Sequence, residues 1–233
     1  MKMKANIYLF GDSHCKCFVH DHYNGGVLNS SNFTLYNKFR STTSARGVSN
    51  DKSKKQYGPY IIQTLKNISY SKDLYNICVL KLGQVDIEYN YYYKVYYKNE
   101  NISKQDFYMD TIEKYIMFIK FLKQSFPNIN FIVNGVNMPN VYDLQEYMAR
   151  ESAIIPSTTY EEQFEDHYKF NMFLQNKCDL EGIKYFDLTP ETTDGKLLKP
   201  QFIGTDNHLS GGDKININTM NVFIGKLIKT ISE

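Results

Sequence analysis

The chain has 233 residues, with 27 basic against 25 acidic side chains and a formal net charge of +2. That length suits one domain with a full core rather than two. The balanced charge gives no electrostatic case for nucleic acid or an anionic membrane, and the sequence lacks the run of about 18 apolar residues that a membrane span needs.

Taken in chain order, residues 1–10 carry lysines and then the apolar run Ile7-Tyr8-Leu9-Phe10. The run is short for a secretory core and flows straight into Gly11-Asp12-Ser13, so residues 5–11 read as a first strand and the location as cytoplasmic. A helix over 14–23, closed by Gly25-Gly26, is expected next. Residues 33–40 read as a second strand, and the Ser-, Asn- and Lys-rich stretch 41–56 as a loop. Pro59 stands near the start of a helix over 60–68. Residues 77–83 form a buried strand, and 86–98 a tyrosine-dense segment, helical or irregular. Residues 104–125 place Phe107, Ile112, Tyr115, Ile116, Ile119 and Leu122 on one face of an amphipathic helix. Pro127 ends it, and Phe131-Ile132-Val133 is the next strand. The connection 136–158 is long enough to be a substrate loop. Thr158-x-x-Glu161 and Thr159-x-x-Glu162 are two candidate capping boxes for a helix over 160–179. Residues 183–186 form a last strand and 212–230 a last helix. This alternation predicts a single α/β domain over 1–233, three layers α/β/α around a five-stranded parallel sheet. Ligands in such sheets bind beyond the carboxyl ends of the strands.

The four cysteines (Cys15, Cys17, Cys78, Cys178) are scattered over predicted core elements, which suits a reduced compartment. Cys15-x-Cys17 has no second pair downstream, so no zinc site, other metal or cofactor is expected.

Chemistry concentrates at two places. Gly11-Asp12-Ser13-His14 follows the first strand, and Thr205-Asp206-Asn207-His208 lies almost two hundred residues later. A serine hydroxyl needs a base within hydrogen-bond reach, and serine early with Asp and His late is one chain order in which a triad assembles. His208, in a polar loop before the last helix, suits an exposed imidazole that can titrate. Ser13 on its own could equally cap the following helix.

These blocks resemble the SGNH (GDSL-like) hydrolase family. Gly11-Asp12-Ser13 matches its first block, and Gly47 in Ser44-Ala45-Arg46-Gly47-Val48 its second. Gly83-Gln84-Val85-Asp86 stands where its Gly-x-Asn-Asp belongs, and His208 closes its last block. The variant with His14 after the serine resembles members linked to polysaccharide modification. The resemblance implies a flavodoxin-like strand order 2-1-3-4-5, Ser13 as nucleophile, His208 as base and Ser13 and Gly47 amides in an oxyanion hole. Two positions depart from the family. The orienting acid is due at Thr205, so Asp206, one residue closer, is the candidate. Val85 stands where the family has an asparagine donor, so Gln84, Arg46 or Asn134 is expected to reach in. Asp12 and Asp86 are read as fixing turns through backbone hydrogen bonds, and His14 as a local structural residue or a substrate contact. The implied activity is that of a serine esterase or O-acyltransferase on a small-molecule or oligosaccharide ester. The alternative is a catalytically impaired glycan-binding or scaffold domain. A nucleotide-binding flavodoxin-like protein is disfavoured, because no Gly-rich phosphate loop follows the first strand. Tyr89, Tyr92, Tyr93, Tyr96 and Tyr97 would share a helical stripe, read first as packing on the body of the domain and second as a sugar-stacking surface.

Overall fold

The computed structural model describes residues 4–18, 26–68, 74–140, 158–204, 208–209 and 217–233. Strand β1 (Lys4–Gly11) is central, with β3 (Phe33–Asn37) on one side and β4 (Leu74–Lys81) on the other, both parallel to it. Strands β5 (Ile129–Asn134) and β6 (Lys184–Phe186) extend the parallel sheet beyond β4. These five strands have the expected order 2-1-3-4-5. The sheet has a sixth strand, β2 (Val27–Asn29), antiparallel on the outer edge of β3. Three residues with a half-exposed Val27 carry too little alternation to be read as a strand.

Alternation along β1 and β4 builds a core on each face. Phe10, Cys78 and Leu80 face one cluster with Phe131 and Val133; Ile7, Leu9, Ile77 and Val79 face the other. The first face is covered by α2 (Tyr57–Lys66), α3 (Lys104–Ser125) and α4 (Tyr160–Leu180), through Ile61, Phe107, Ile116 and Phe170. The short α1 (Ala45–Val48), capped by Ser44, packs beside α2 and α3 within the stretch read as loop. The second face is covered by a 3-10 turn (Ser13–Phe18) and by the C-terminal helix; of the helix expected over 14–23, residues 19–23 lie outside the described residues. Phe18 and Phe223 stack at 4.1 Å across that face. Each such ring removed from water contributes about 1.5–3 kcal/mol. After β6 come α5 (Thr189–Thr192), the ribbon β7 (Thr193–Asp194) with β8 (Leu197–Leu198), and α6 (Ile217–Ser232).

Local chemistry sets the helix ends. Ser103 Oγ accepts from Asp106 N–H at 3.1 Å to start α3. Of the two candidate capping boxes, Thr159 and Glu162 form the reciprocal pair, at 2.8 and 3.1 Å, while Thr158 Oγ1 accepts from Gln163. Such a cap contributes about 1 kcal/mol. The tyrosine-dense segment winds as two π-helical turns, Asp86–Asn90 and Tyr93–Tyr97. Of the predicted substrate loop, residues 141–157 lie outside the described residues. No described helix is long and apolar enough to cross a membrane.

Candidate active site

Gly11 ends β1 where a β-carbon would collide with Cys15 Sγ and the Lys81 carbonyl, so β1 and β4 can stay paired to their last residues. Gly11 N–H donates to Tyr57 Oη at 2.8 Å, and that hydroxyl donates to the Lys38 carbonyl at 2.9 Å. The chain then turns at buried Asp12, whose Oδ1 accepts the His14 N–H at 2.9 Å, the turn-fixing role read from sequence. Ser13 opens the 3-10 turn, where a backbone N–H has no acceptor within the turn. Its Oγ lies 2.9 Å from His208 Nε2, across 195 positions of sequence.

His208 is 8 % exposed rather than a surface imidazole. Leu209 anchors its loop in the second apolar cluster, and Asn140 Nδ2 donates to the carbonyls of Gly204 at 2.8 Å and His208 at 3.4 Å. Thr205 and Asp206, the positions considered for the orienting acid, lie outside the described residues.

A buried polar group stands behind the pair. The His14 ring lies 4.4 Å from that of His208, centroid to centroid. His14 Nδ1 faces Asp12 Oδ1 at 3.2 Å, and Nε2 faces Glu88 Oε1 at 3.9 Å. Burial alone would lower the His14 pKa, but the Glu88 and Asp12 carboxylates outweigh burial and the nearby Lys81, and leave it raised. Glu88 in turn accepts from Gln84 Nε2 at 2.6 Å and lies 3.3 Å from His167 Nε2. The other ring nitrogen of His167 is 2.6 Å from the Gln163 carbonyl, which only accepts, so Nδ1 carries a hydrogen. Burial would raise the Glu88 carboxyl, yet the His14 charge and the contacts to His167 and Gln84 hold it down at about 2. Lys81, also buried, donates to the Gly135 carbonyl at 3.1 Å. Glu88 and His167 escaped the sequence reading. The helical spacing of Gln84 to Glu88 was a faint signal, whereas His167 meets Glu88 only through tertiary packing.

Several expected donors are committed elsewhere. Both Gln84 Nε2 hydrogens are engaged, by Glu88 and by the Asn137 carbonyl at 3.2 Å, while Gln84 Oε1 accepts Asn137 N–H at 2.9 Å. Gln84 is thus a clamp, not an oxyanion donor. The Gly47 N–H, assigned to the oxyanion hole from its block, is bonded to Ser44 Oγ at 3.0 Å as part of the α1 cap. Arg46 turns away onto Asp110 and the Phe107 ring, so it does not reach the serine. Asn134 Nδ2 bonds the Phe186 carbonyl at 3.1 Å and ties β5 to β6. Asp86 does accept a backbone hydrogen bond, from Ala45 N–H at 2.6 Å, and so docks α1 on the third block. Burial pushes its carboxyl up to about 6, against bonds from Asn90 and the Ala45 and Arg46 amides. Gly83 takes φ +125°, a conformation that only glycine adopts freely, with Phe170 pressed against it. Asn137 is a further carboxamide after β5: it is 4 % exposed, and among the described residues neither its nitrogen nor its oxygen has a hydrogen-bond partner.

A cleft of about 760 Å³ opens beside Ser44 and Gly47, with Asn90, Tyr93, Lys94 and Lys98 among its walls; neither Ser13 nor His208 lines it. The tyrosine stripe divides: Tyr92 is buried, while Tyr89, Tyr93 and Tyr97 stack on one another at 5.9 and 4.9 Å. Among the described residues, no cluster of His, Cys, Asp and Glu could hold a metal ion.

No protein-family model and no curated protein matches the chain. Solved structures match it in shape. A carbohydrate acetylesterase from Sinorhizobium meliloti superposes with a TM-score of 0.59 at 11% identity, covering 97% of this chain and 99% of that one. A GDSL-like lipase from Bacteroides thetaiotaomicron gives 0.55 at 13% identity, over 99% and 90%. The periplasmic domain of a lipopolysaccharide acetyltransferase from Salmonella ser. Paratyphi A gives 0.56 at 15%, over 98% and 85%. At these identities the likeness is one of fold.

Proposed function

We propose that this chain, which has the fold of the SGNH/GDSL-type hydrolases, is a serine-dependent esterase or O-acyltransferase with Ser13 as nucleophile. The observation that carries the reading is the 2.9 Å contact between Ser13 Oγ and His208 Nε2, within the reach a general base requires. Ser13 Oγ attacks the acyl carbonyl while His208 Nε2 takes its proton. The oxyanion is held by the Ser13 N–H and by Asn137 Nδ2, the carboxamide after β5 whose donors are unspent among the described residues. The tetrahedral intermediate collapses, the alcohol departs with the proton from His208, and an acyl-enzyme remains. Water or a sugar hydroxyl, deprotonated by His208, then takes the acyl group and frees Ser13. Asp206 is assigned to orient His208.

An acylated carbohydrate is the substrate class we favour. Two of the structures of similar shape are a carbohydrate acetylesterase and a lipopolysaccharide acetyltransferase. The binding-only alternative rests on Val85 replacing a donor; the paired serine and histidine count against it.

The test is turnover of p-nitrophenyl acetate and acetylated xylo-oligosaccharides by wild type, Ser13→Ala and His208→Ala, with fluorophosphonate labelling alongside. Each substitution is expected to lower kcat by about 10⁴-fold or more, and Ser13→Ala to abolish labelling. Equal rates in all three proteins overturn the reading.

A further inference from the structure

We propose that His14 is a positioning residue for the reaction: clamped between Asp12 and Glu88, its ring forms the wall that holds His208 against Ser13. This rests on the functional reading of Ser13 and His208 given above. A general base on a loop must keep one ring orientation through attack and collapse, since catalysis falls steeply with misplacement of the reacting groups.

The geometry supplies that constraint from the His14 ring. The two imidazoles meet at 4.4 Å with a 39° tilt. His14 cannot rotate freely, because Asp12 stands at Nδ1 at 3.2 Å and Glu88 near Nε2 at 3.9 Å, and His14 itself is 2 % exposed. Glu88 is fixed in its turn by Gln84 on its own segment and by His167 on α4. The clamp therefore ties the β1 turn, the third block and α4 to the catalytic ring.

The same arrangement acts on charge. Asp12 and Glu88 favour the protonated form of His14, while Lys81, from the end of β4, opposes it. The two carboxylates behind His14 limit the penalty when His208 becomes an imidazolium during attack.

The experiment compares wild type with His14→Gln, which keeps a polar group between the two carboxylates but removes the ring and its charge. Activity is expressed per fluorophosphonate-titrated serine, so that a misfolded fraction does not count. kcat is expected to fall about tenfold, with KM for p-nitrophenyl acetate little changed. NMR of the His208 ring should show one fixed orientation in Ser13→Ala and an averaged one in the His14→Gln/Ser13→Ala double variant, neither of which needs turnover. A His208 ring equally fixed in both proteins overturns the proposal. Absence of turnover in wild type, with the loss of His208 order present in the double variant, overturns the esterase reading and leaves the clamp standing. Glu88→Gln provides the second variant should His14→Gln fail to fold. With the clamp loosened, kcat per titrated serine should fall several-fold, and a value equal to wild type counts against it.

Discussion

Gly11 and Lys81 are paired at the end of the β1–β4 ladder so closely that the Lys81 carbonyl occupies the space a β-carbon on residue 11 would need. A methyl group there also meets Cys15 Sγ, at the start of the turn that carries Ser13. Gly11→Ala should therefore force the strand ends apart and lower stability by about 1–3 kcal/mol, with activity falling further because the turn moves. Gly225, inside α6, is the control: nothing lies within 4 Å of its would-be β-carbon. Gly225→Ala should raise stability by about 0.5–1 kcal/mol through helix propensity. Urea denaturation of both variants measures this, and equal effects would refute the packing account.

Gln84 holds the third block to the segment after β5 with two hydrogen bonds, to both backbone groups of Asn137, and a third fixes Glu88 on its own segment. Gln84→Ala strips partners from a buried carboxylate and two buried backbone groups, at about 1–3 kcal/mol for each group left unsatisfied. Thermal melting should register a loss of several degrees. An oxyanion donor would instead show a loss of 100- to 1000-fold in kcat with little change in melting. Gly47→Ala should likewise leave kcat within about threefold, since the Gly47 N–H serves the α1 cap and a methyl there meets the movable hydroxyls of Ser44 and, at ordinary contact distance, Ser53. A hundredfold loss in either variant would return the residue to the oxyanion hole.

These two residues mark the limit of what was legible in sequence. The β1 and β4 alternation, the apolar face of α3 and the Thr159–Glu162 cap are local patterns, and the structure follows them. The meeting of Ser13 with His208 was legible only through the order of the blocks. Which donor faces a reacting group depends on the last ångström of side-chain packing. Gln84 and Gly47 had the expected positions along the chain, but nearer partners took their hydrogens. Glu88 and His167 lie 79 positions apart in the chain, and nothing local announces their contact. Strand β2 is three residues at an edge and left no periodic trace.

Stability should vary with pH in opposite directions around two buried acids. Glu88, held at about 2 by His14, His167 and Gln84 against its burial, contributes stability present above its unfolded value near 4.5 and lost as pH falls towards 2. The full contribution is at most about 3 kcal/mol. Asp86 is raised to about 6 by burial, so the fold prefers it protonated; that contribution is present below about 4 and fades as pH rises through 6. Together they place maximal stability near pH 4. Glu88→Gln should flatten the acid side of a melting-temperature profile from pH 3 to 8, and Asp86→Asn the neutral side. Profiles of both variants running parallel to wild type would show that neither carboxyl titrates as the structure requires.

Asn137 separates the cost of a residue from its use. Its carboxamide is 4 % exposed and among the described residues makes no hydrogen bond through nitrogen or oxygen, an arrangement that burdens the fold by about 1–3 kcal/mol. Buried polar groups are satisfied almost everywhere in proteins, and the exceptions call for a reason such as catalysis. Its backbone, by contrast, is gripped on both sides by Gln84, so the side chain is held in one place with its donors unspent. Replacing it by alanine removes the burden and the donor together. Asn137→Ala should melt at the same temperature as wild type or higher, while kcat on p-nitrophenyl acetate falls by about 100-fold, the typical loss for one oxyanion donor. A variant that loses stability but keeps its turnover would show that the amide serves packing, and would move the second oxyanion donor to another group along the strand edge.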